Sequence, residues 1–491
     1  MIFLSCSNDM YTYNTYHLAK AFFPEEDVQQ NVSEEMEDVF RITFPDGSVF
    51  VVKKEDIPAE EDRSRKKYAV DVALYKACRE YTGKELAWGI LTGVRPTKIA
   101  MQKQEQGMDE ESFVKWFGED SLVSPGKAVL AWQIAGREKK ILGRLDYRDG
   151  YSLYVGIPFC PSVCSYCSFS SGPIDLWKDH VEDYLGALMK ELEWIGQRAG
   201  RQGKKLNTVY IGGGTPTTLS EEQLERLLSC IDRCFSREHL LEYTVEAGRP
   251  DSITEGKLKV LRAHGITRIS INPQTMQQKT LDLIGRRHTA REIEESFYMA
   301  RSLGFDNINM DLIAGLPGET AADMADTLEK ISAMGPDSLT VHSLAIKRAA
   351  KMGQEKSTTG SIASLAGDPA AMARELSAMI EEAYGAARGM GLFPYYLYRQ
   401  KNIAGNFENV GFAKVDKAGI YNILIMEEKQ TIIAAGAGSS TKILLDEPII
   451  VPGSRHGRKT TLVRVENVKN IRDYITRIDE MINRKGEWLW R

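Results

Sequence analysis

The sequence predicts an α/β protein built around a parallel sheet, because strand-like and helix-like segments alternate through its middle. Between residues 152 and 344 we count six strand–helix units, and this alternation is typical of parallel sheets. The strand segments are rich in β-branched and aromatic residues, as strands buried on both faces are. The predicted strands are 153–157, 208–211, 243–246, 268–271, 308–312 and 339–344.

The helices between these strands are visible in the spacing of apolar residues. Val181, Tyr184 and Leu188 recur at helical intervals after the first strand. Ser220 and Gln223 form a capping box directly ahead of the next apolar helix. Each helix therefore has a face that can cover the sheet.

The sequence patterns on either side of this core predict two further regions, one N-terminal and one C-terminal. Upstream, a strand and a helix precede a hairpin over 39–44 and 48–52, joined by a Pro-Asp-Gly turn. Downstream, we predict a helix near 371–389, strands around 420–427 and 430–435, and a last helix from about 465 to 484. The predicted division is an N-terminal α/β domain (1–145), a core (146–370) and a C-terminal mixed α/β region (371–491).

Composition excludes several classes of protein. The 63 Lys and Arg against 68 Asp and Glu give a net charge of -5 without a long block of one sign, which argues against a nucleic-acid partner. No stretch reaches the about 18 apolar residues of a transmembrane helix, and the first residues lack the pattern of a secretory leader. We therefore expect a cytoplasmic protein.

A group of cysteines gives the strongest chemical signal. Of the seven cysteines, Cys160, Cys164 and Cys167 fall within eight residues directly after the first core strand. In a reducing compartment such a group points to metal binding rather than disulfides. Three thiolates suit an iron–sulfur cluster with one iron open to a chelating ligand, since four would close a [4Fe–4S] cube. Three zinc-binding or core cysteines are the alternative.

Polar or glycine-rich segments follow successive strands, at the edge where parallel barrels place their active sites. The second strand ends in a glycine run at 212–214, where backbone can approach a ligand closely. Glu246 ends the third strand, and its carboxylate can accept hydrogen bonds from ribose hydroxyls or an amine. Gln274, Arg286 and Asp311 follow the fourth and fifth strands. Each residue alone is ordinary, but their shared position predicts a site.

The cysteine spacing, with an aromatic residue before the third cysteine, resembles the signature of the radical S-adenosylmethionine (SAM) enzymes. The resemblance implies that Cys160, Cys164 and Cys167 hold a [4Fe–4S] cluster and that SAM chelates the open iron. In that family one electron from the cluster cleaves SAM to a 5′-deoxyadenosyl radical, which abstracts hydrogen from the substrate. The resemblance also implies a partial (β/α)6 barrel and a low-potential electron donor such as flavodoxin or ferredoxin.

Longer blocks resemble the oxygen-independent coproporphyrinogen III oxidase family, which includes heme-chaperone and HemZ-type relatives. The matching blocks are Leu153-Tyr-Val-Gly-Ile-Pro-Phe-Cys160, Gly212-Gly-Gly-Thr-Pro-Thr217, Ser270-Ile-Asn-Pro-Gln274, Ile284-Gly-Arg-Arg-His-Thr289 and Asp311-Leu-Ile-Ala-Gly-Leu-Pro317. The resemblance implies that Tyr154, Gly213 and Glu246 contact the SAM on the cluster. It implies that a second SAM site or the neighbouring substrate cavity is lined by Tyr166, Gly214, Thr215, Gln274, Arg286, Asp311 and Ala345.

Three features distinguish this chain within that family. Gly156 stands where the family usually has histidine, and Ser168-Phe169 follows the third cysteine where the oxidases carry a fourth. The Cys-x-Phe ending also occurs in the heme-chaperone branch. The N-terminal domain, together with segments 91–98 and 395–402, looks most like the HemZ-type branch.

The resemblance implies an enzyme of heme biosynthesis that converts two propionates of coproporphyrinogen III to vinyl groups, yielding protoporphyrinogen IX. A heme chaperone and a radical SAM methyltransferase that degrades heme are the alternatives, so the expected substrate is a tetrapyrrole. Its propionates favour bidentate arginines at the cavity wall. The candidates are Arg95, Arg287, Arg348 and Arg399. We interpret His264 and His342, at element ends, as capping residues rather than heme ligands.

Overall fold

The computed structural model describes residues 1–24, 26–57, 62–93, 95–344, 350, 352, 369–399, 407–451, 457 and 459–490. The strands are β1 (Ile2–Cys6), β2 (Val28–Val32), β3 (Phe40–Thr43), β4 (Val49–Val52), β5 (Gly150–Ile157), β6 (Phe159–Cys160), β7 (Gly172–Pro173), β8 (Lys205–Gly213), β9 (Glu242–Gly248), β10 (Arg268–Ile271), β11 (Ile308–Ala314), β12 (Ser338–Ser343), β13 (Phe393–Arg399), β14 (Glu408–Ala413), β15 (Thr431–Ala435), β16 (Ser440–Ile450) and β17 (Lys459–Glu466). The helices are α1 (Thr12–Phe22), α2 (Arg63–Thr82), α3 (Thr97–Glu105), α4 (Glu110–Ser121), α5 (Pro125–Leu142), α6 (Val181–Arg201), α7 (Glu221–Cys234), α8 (Glu255–Ala263), α9 (Gln278–Leu283), α10 (Ala290–Ser302), α11 (Ala321–Met334), α12 (Pro369–Gly389), α13 (Ile420–Glu427), α14 (Ile471–Thr476) and α15 (Ile478–Gly486).

Within the described residues the main sheet has eleven strands, and its centre is the predicted parallel core. Strands β5, β8, β9, β10, β11 and β12 lie side by side in chain order and pair in parallel. The full order is β13-β14-β12-β11-β10-β9-β8-β5-β15-β16-β17. Among the described strands no pairing joins β13 to β17, so the sheet is open there. The predicted α/β class and the partial (β/α)6 arrangement are confirmed.

The C-terminal region extends this sheet at both edges. Strands β14 and β13 continue it beyond β12 in antiparallel pairing. Strand β15 pairs in parallel with β5 on the other side, and β16 and β17 follow it as antiparallel strands. None of the six central parallel strands is therefore an edge strand of the sheet.

Two predictions for the C-terminal region are wrong. Residues 420–427 form helix α13 and not a strand, because the carboxylate of Glu242 accepts hydrogen bonds from the Ile420 and Tyr421 backbone N–H groups at the start of the helix. A continuous apolar run fits either structure, and the deciding partner lies far away in the chain. The last helix does not begin at 465, because β17 pairs with β16 up to Glu466.

The N-terminal part has its own small sheet, in the order β2-β1-β3-β4. The predicted hairpin is present as β3 and β4. The apolar core of this sheet contains buried residues up to Ile90. Most buried apolar residues of helices α3 to α5 instead belong to the core of the main sheet. The three-domain division stays a prediction. Within the described residues, no helix combines the length and apolar character needed to cross a membrane.

A buried ion pair attaches the last helix to the core. Lys485 on α15 lies 2.5 Å from Glu191 on α6, and both side chains are fully buried. The Glu191 carboxylate also accepts hydrogen bonds from Tyr474 Oη at 2.6 Å, Asn467 Nδ2 at 3.0 Å and Gly436 N at 2.9 Å. A buried charge pair is tolerated when its remaining hydrogen-bonding capacity is satisfied in this way.

We expect Glu191→Ala to destabilise the protein strongly, because it leaves the Lys485 ammonium buried without its counter-ion. The loss should correspond to about 3–5 kcal/mol, measured as a fall in the thermal or denaturant midpoint. Lys190→Ala is the matched control, because Lys190 pairs with Asp479 at 2.7 Å between the same two helices but at exposed positions. An exposed pair contributes about 0–1 kcal/mol, so equal losses in the two variants would contradict the prediction.

Candidate active site

The carboxyl ends of the parallel strands surround a cavity of about 330 Å³, within the range of small-molecule sites. Its walls come from the cysteine loop after β5, the glycine loop after β8, the ends of β9 to β12, and strand β13. The parallel register brings these ends together: Ile157 pairs with Gly213, Glu246 with Ser270, and Asp311 with Thr340.

The three cysteines of the loop line one side of the cavity. Cys160 ends the short strand β6, and Cys164 and Cys167 follow in a turn in which the Cys167 N–H donates to the Cys164 carbonyl at 3.0 Å. Burial raises the pKa of the Cys160 and Cys167 thiols. Since a metal is bound by thiolates, loading this site releases protons.

The glycine loop is bonded directly to the cysteine loop. Gly214 N donates to Ile157 O and Thr215 N donates to Phe159 O, each at 2.7 Å. A Cβ placed on Gly214 would lie 2.5 Å from Phe159 O and 3.0 Å from Cys160 Sγ. The backbones approach this closely only because residue 214 has no side chain.

Glu246 faces the cavity from β9, and the pKa of its carboxyl group is raised. Burial and the nearby Asp311 charge raise the pKa of Glu246 to about 7, although the hydrogen bond from Tyr210 Oη opposes the rise. Tyr210 belongs to a cluster of three tyrosine rings, in which it lies 4.5 Å from Tyr421 and both rings lie 6.2 Å from Tyr154. Glu246 can therefore gain or lose a proton near neutral pH.

Asp311 lies in a second polar group on the next wall. Asn309 Nδ2 donates to it at 2.7 Å, and His342 Nε2 lies 3.8 Å away. His342 Nδ1 shares a hydrogen bond of 3.2 Å with Tyr398 Oη. Burial raises the pKa of Asp311, but His342 together with hydrogen bonds from Asn309 and Thr340 outweighs burial and holds this pKa below its usual range. Asp311 is thus a carboxylate at neutral pH.

Gln274 and Arg286 complete the lining between these groups. Gln274 has φ = +67°, a backbone conformation that residues other than glycine rarely adopt. Its backbone is held there by pairing with β11, with Gln274 N donating to Asp311 O at 2.9 Å. Arg286 donates through Nη1 to the Asn272 carbonyl, and its Nε has no hydrogen-bond partner among the described residues.

The structure places most of the predicted site residues around this one cavity. The lining includes Cys160, Cys164, Tyr166, Cys167, Gly213, Gly214, Thr215, Glu246, Gln274, Arg286 and Asp311. Tyr154 is not part of the lining, but its ring is stacked 6.2 Å from that of Tyr210, which is. Ala345 lies outside the described residues. The proximity is a finding, whereas the role of each residue stays a prediction.

The predicted substrate arginines are placed differently. Arg95 pairs with Glu428 at 2.8 Å, and Arg399 is buried with Nη1 donating to Leu91 O at 2.8 Å. Arg287 is exposed, and Arg348 lies outside the described residues. The cavity is lined instead by Arg249, Arg268 and Arg286.

Several lining residues were missed by the sequence argument. They are Tyr210, Arg249, Arg268, Asn309, Tyr396 and Tyr398, together with His342, which we expected to be a capping residue. A usable signal existed, because alternate residues of a strand face the same side. Asp311 on β11 therefore implied Asn309, and Ser270 on β10 implied Arg268.

The three cysteines and the donors around them fit an iron–sulfur cube. A cube takes one thiolate on each of three irons, so its ligands are spread apart. Thr215 Oγ1 lies 3.6 Å from Cys160 Sγ and Arg249 Nη1 lies 3.8 Å from Cys164 Sγ, so donors to bound sulfur are already in place.

Comparison with known proteins agrees with this site. The family model of the radical SAM superfamily matches residues 154–331. The oxygen-independent coproporphyrinogen-III oxidase-like protein HemZ of Bacillus subtilis (strain 168) is 41% identical over 391 residues, which cover 79% of this chain and 76% of HemZ. The heme chaperone HemW of the same organism is 39% identical over 197 residues, 40% of this chain and 51% of HemW. Coproporphyrinogen III oxidase (HemN) of Escherichia coli shares the fold, with a TM-score of 0.51 at 22% identity over 68% of this chain and 70% of HemN.

The parallel sheet and its cysteine loop are those of a radical SAM protein, and its cofactors are those of the superfamily, a [4Fe–4S] cluster and SAM. Identity of 41% across most of both chains narrows the assignment further. The chain belongs to the oxygen-independent coproporphyrinogen III oxidase-like family, together with HemZ. The family that the sequence motifs predicted is confirmed.

We expect Gly214→Ala to displace the Cys160 loop, because the added methyl group would overlap with the Phe159 carbonyl oxygen. Overpacking of this kind destabilises by about 1–3 kcal/mol, so the variant should retain less iron per chain after anaerobic reconstitution. Gly186→Ala is the control, since a Cβ there has nothing within 4 Å. Full iron content in the Gly214 variant would show that the two loops are not rigidly joined.

Proposed function

We propose that this protein is a radical SAM oxidoreductase that converts two propionates of coproporphyrinogen III to vinyl groups without oxygen. Each conversion removes a hydrogen atom from the propionate Cβ, carbon dioxide, and one electron that passes to an external acceptor. When bound, the cluster and SAM supply the one-electron chemistry that removes this hydrogen. We also propose a low-potential flavodoxin or ferredoxin as the electron donor.

The observation that carries this proposal is a single cavity with cysteines on one wall and carboxylate-binding donors on the others. Cys160, Cys164 and Cys167 would hold the cluster, and Tyr154, Gly213 and Glu246 would surround the SAM bound to it. Tyr166, Gly214, Thr215, Gln274, Arg286 and Asp311 would line a second SAM site or the adjoining substrate space. All but Tyr154 line the cavity.

The walls farther from the cysteines suit a substrate that carries propionates. His342 and Tyr398 are hydrogen-bonded to each other and both line the cavity. Arg268 is 2% exposed and donates to Ser338 Oγ at 2.7 Å, which fixes its position in the interior. Hydroxyl, imidazole and guanidinium groups all donate to carboxylates, and charged donors do so most strongly.

A heme chaperone is the second candidate function, and Phe169 is the observation that favours it. Phe169 stands beside the third cysteine, where the oxidases carry a fourth, and its side chain is 70% exposed at the cavity. An exposed ring at this position offers an apolar contact to a tetrapyrrole plane. The oxidase proposal explains the polar inner walls better, since a carrier requires no group near the propionate Cβ.

The deciding experiment incubates anaerobically reconstituted protein with reductant, SAM and either coproporphyrinogen III or heme. We expect about four irons per chain in the starting protein. We also expect protoporphyrinogen IX and carbon dioxide from the first substrate. Cys164→Ala should abolish the cluster and the product together.

A different pattern would reject the oxidase. If the wild-type protein cleaved SAM but never consumed coproporphyrinogen III, and instead bound heme tightly, the chaperone would be the correct assignment. Stoichiometric zinc in place of iron would reject both candidates, because neither uses a zinc site.

SAM affinity should depend on pH through Glu246. Its pKa of about 7 means that the carboxylate form, which accepts hydrogen bonds from the amine or the ribose hydroxyls of SAM, increases as pH rises. At pH 6 only about a tenth of the protein is in that form, so affinity should be about tenfold lower than above pH 8. Equilibrium binding to the cluster-loaded protein measures this. Glu246→Gln provides the control, and a pH profile that it leaves unchanged would remove Glu246 from the explanation.

A further inference from the structure

Arg249 lies beside the cysteine loop and is fixed by a bidentate ion pair. Its Nε donates to Asp251 Oδ1 at 3.0 Å and its Nη2 donates to Asp251 Oδ2 at 2.6 Å. The Arg249 side chain is only 4% exposed. Two parallel hydrogen bonds to one carboxylate fix the plane of a guanidinium, so the direction of the remaining nitrogen is fixed as well.

That remaining nitrogen, Nη1, is directed at the cysteine loop. It donates to Ser162 O at 2.8 Å and Ser162 Oγ at 3.0 Å, and it lies 3.8 Å from Cys164 Sγ. Ser162 Oγ in turn donates to Gly285 O at 3.0 Å. One guanidinium therefore contacts both the backbone of the loop and the sulfur of its second cysteine.

The surroundings keep this arrangement in one orientation. His288 is fully buried, and its Nδ1 lies 3.7 Å from Asp251 Oδ1, the oxygen that also accepts from Arg249 Nε. Asp251 and Ser252 belong to a short helical turn after β9 that starts at Pro250. Because Asp251 balances the charge of Arg249, the effect on Cys164 should come mainly from the short-range N–H contact.

We propose that Arg249 is a positioning residue for the cluster, which both holds the loop at Ser162 and hydrogen-bonds the Cys164 sulfur. The inference rests on the proposed binding of the cluster by Cys164. A donor to a ligating sulfur stabilises the reduced cluster, which carries one more negative charge, and so raises its reduction potential. The same contact should slow loss of the cluster, because it restrains the loop that carries the ligands.

The test measures the midpoint potential of the cluster by redox titration monitored by electron paramagnetic resonance, which needs no substrate. Arg249→Gln removes the charge and the bidentate grip. We expect the equilibrium between oxidised and reduced cluster to shift about tenfold toward the oxidised form, or about 59 mV lower for one electron. Arg291→Gln is the matched control, because it makes the same chemical change at a side chain that is 85% exposed.

Two gentler variants keep the test decisive if Arg249→Gln loses its cluster. Arg249→Lys keeps the charge, but a single ammonium cannot hold Asp251, Ser162 and the sulfur together. Asp251→Asn keeps Arg249 but weakens its fixed orientation and leaves its charge unbalanced, so this variant is read out by the rate of iron loss. Arg249→Lys should lower the potential by less than Arg249→Gln does, and both variants should lose iron faster than the wild-type protein.

The outcomes separate this inference from the proposed function. Equal potentials and equal cluster lifetimes in the wild-type protein, Arg249→Lys and Asp251→Asn would overturn the role of Arg249. Loss of the cluster from a folded Arg249→Gln protein would support the part of the role that holds the loop. Failure of the wild-type protein to form any cluster would instead count against the proposed function.

Discussion

The pairing of β5 with β8 determines where everything else in the cavity lies. These adjacent parallel strands pair from Gly150 with Lys205 to Ile157 with Gly213, and the register shifts by one residue between Tyr151 and Ser152. The cysteine loop leaves the end of one and the glycine loop leaves the end of the other, so the two loops emerge side by side. The bond from Gly214 N to Ile157 O then joins them. A cluster held by one loop and a cofactor held by the other would share a position set by backbone pairing alone.

The cavity at the end of the sheet contains charged side chains, which distinguishes it from the hydrophobic core. Glu246, Asp311 and Arg268 all point into the same space, and each is compensated by a neighbouring side chain. Asn309 serves Asp311, Tyr210 serves Glu246, and Ser338 receives a bond from Arg268. Satisfied polar groups of this density fix side chains in place before a ligand arrives. The cavity is thereby preorganised for a polar ligand.

The sequence predicted the order of the core strands, the family and the edge at which polar residues gather, because these follow from local patterns and motifs. It failed where a distant partner decides the structure. Residues 420–427 became a helix because Glu242 caps them, and Arg399 became a structural residue because it donates to Leu91 O. His342 was interpreted as a capping residue at a strand end, although the alternation of side chains along β12 places it on the same face as Thr340, which also lines the cavity. The alternation of side chains along a strand can be read from the sequence. The residue that caps 420–427 cannot, because it comes close only in the folded chain.

The end of the chain also bears on the position of the cysteine loop. The buried pair of Glu191 and Lys485 holds α15 against α6, and Glu191 also accepts the N–H of Gly436 in the turn after β15. In that turn Ala437 N donates to Tyr184 Oη at 3.1 Å, and Tyr184 Oη donates to Gly156 O at 2.7 Å. Gly156 is four residues before Cys160. This chain has glycine at the position where the family usually has histidine. The Gly156 carbonyl accepts a hydrogen bond from Tyr184, which in turn accepts one from Ala437 of the C-terminal region. Backbone contacts with the C-terminal region therefore position the start of the cysteine loop.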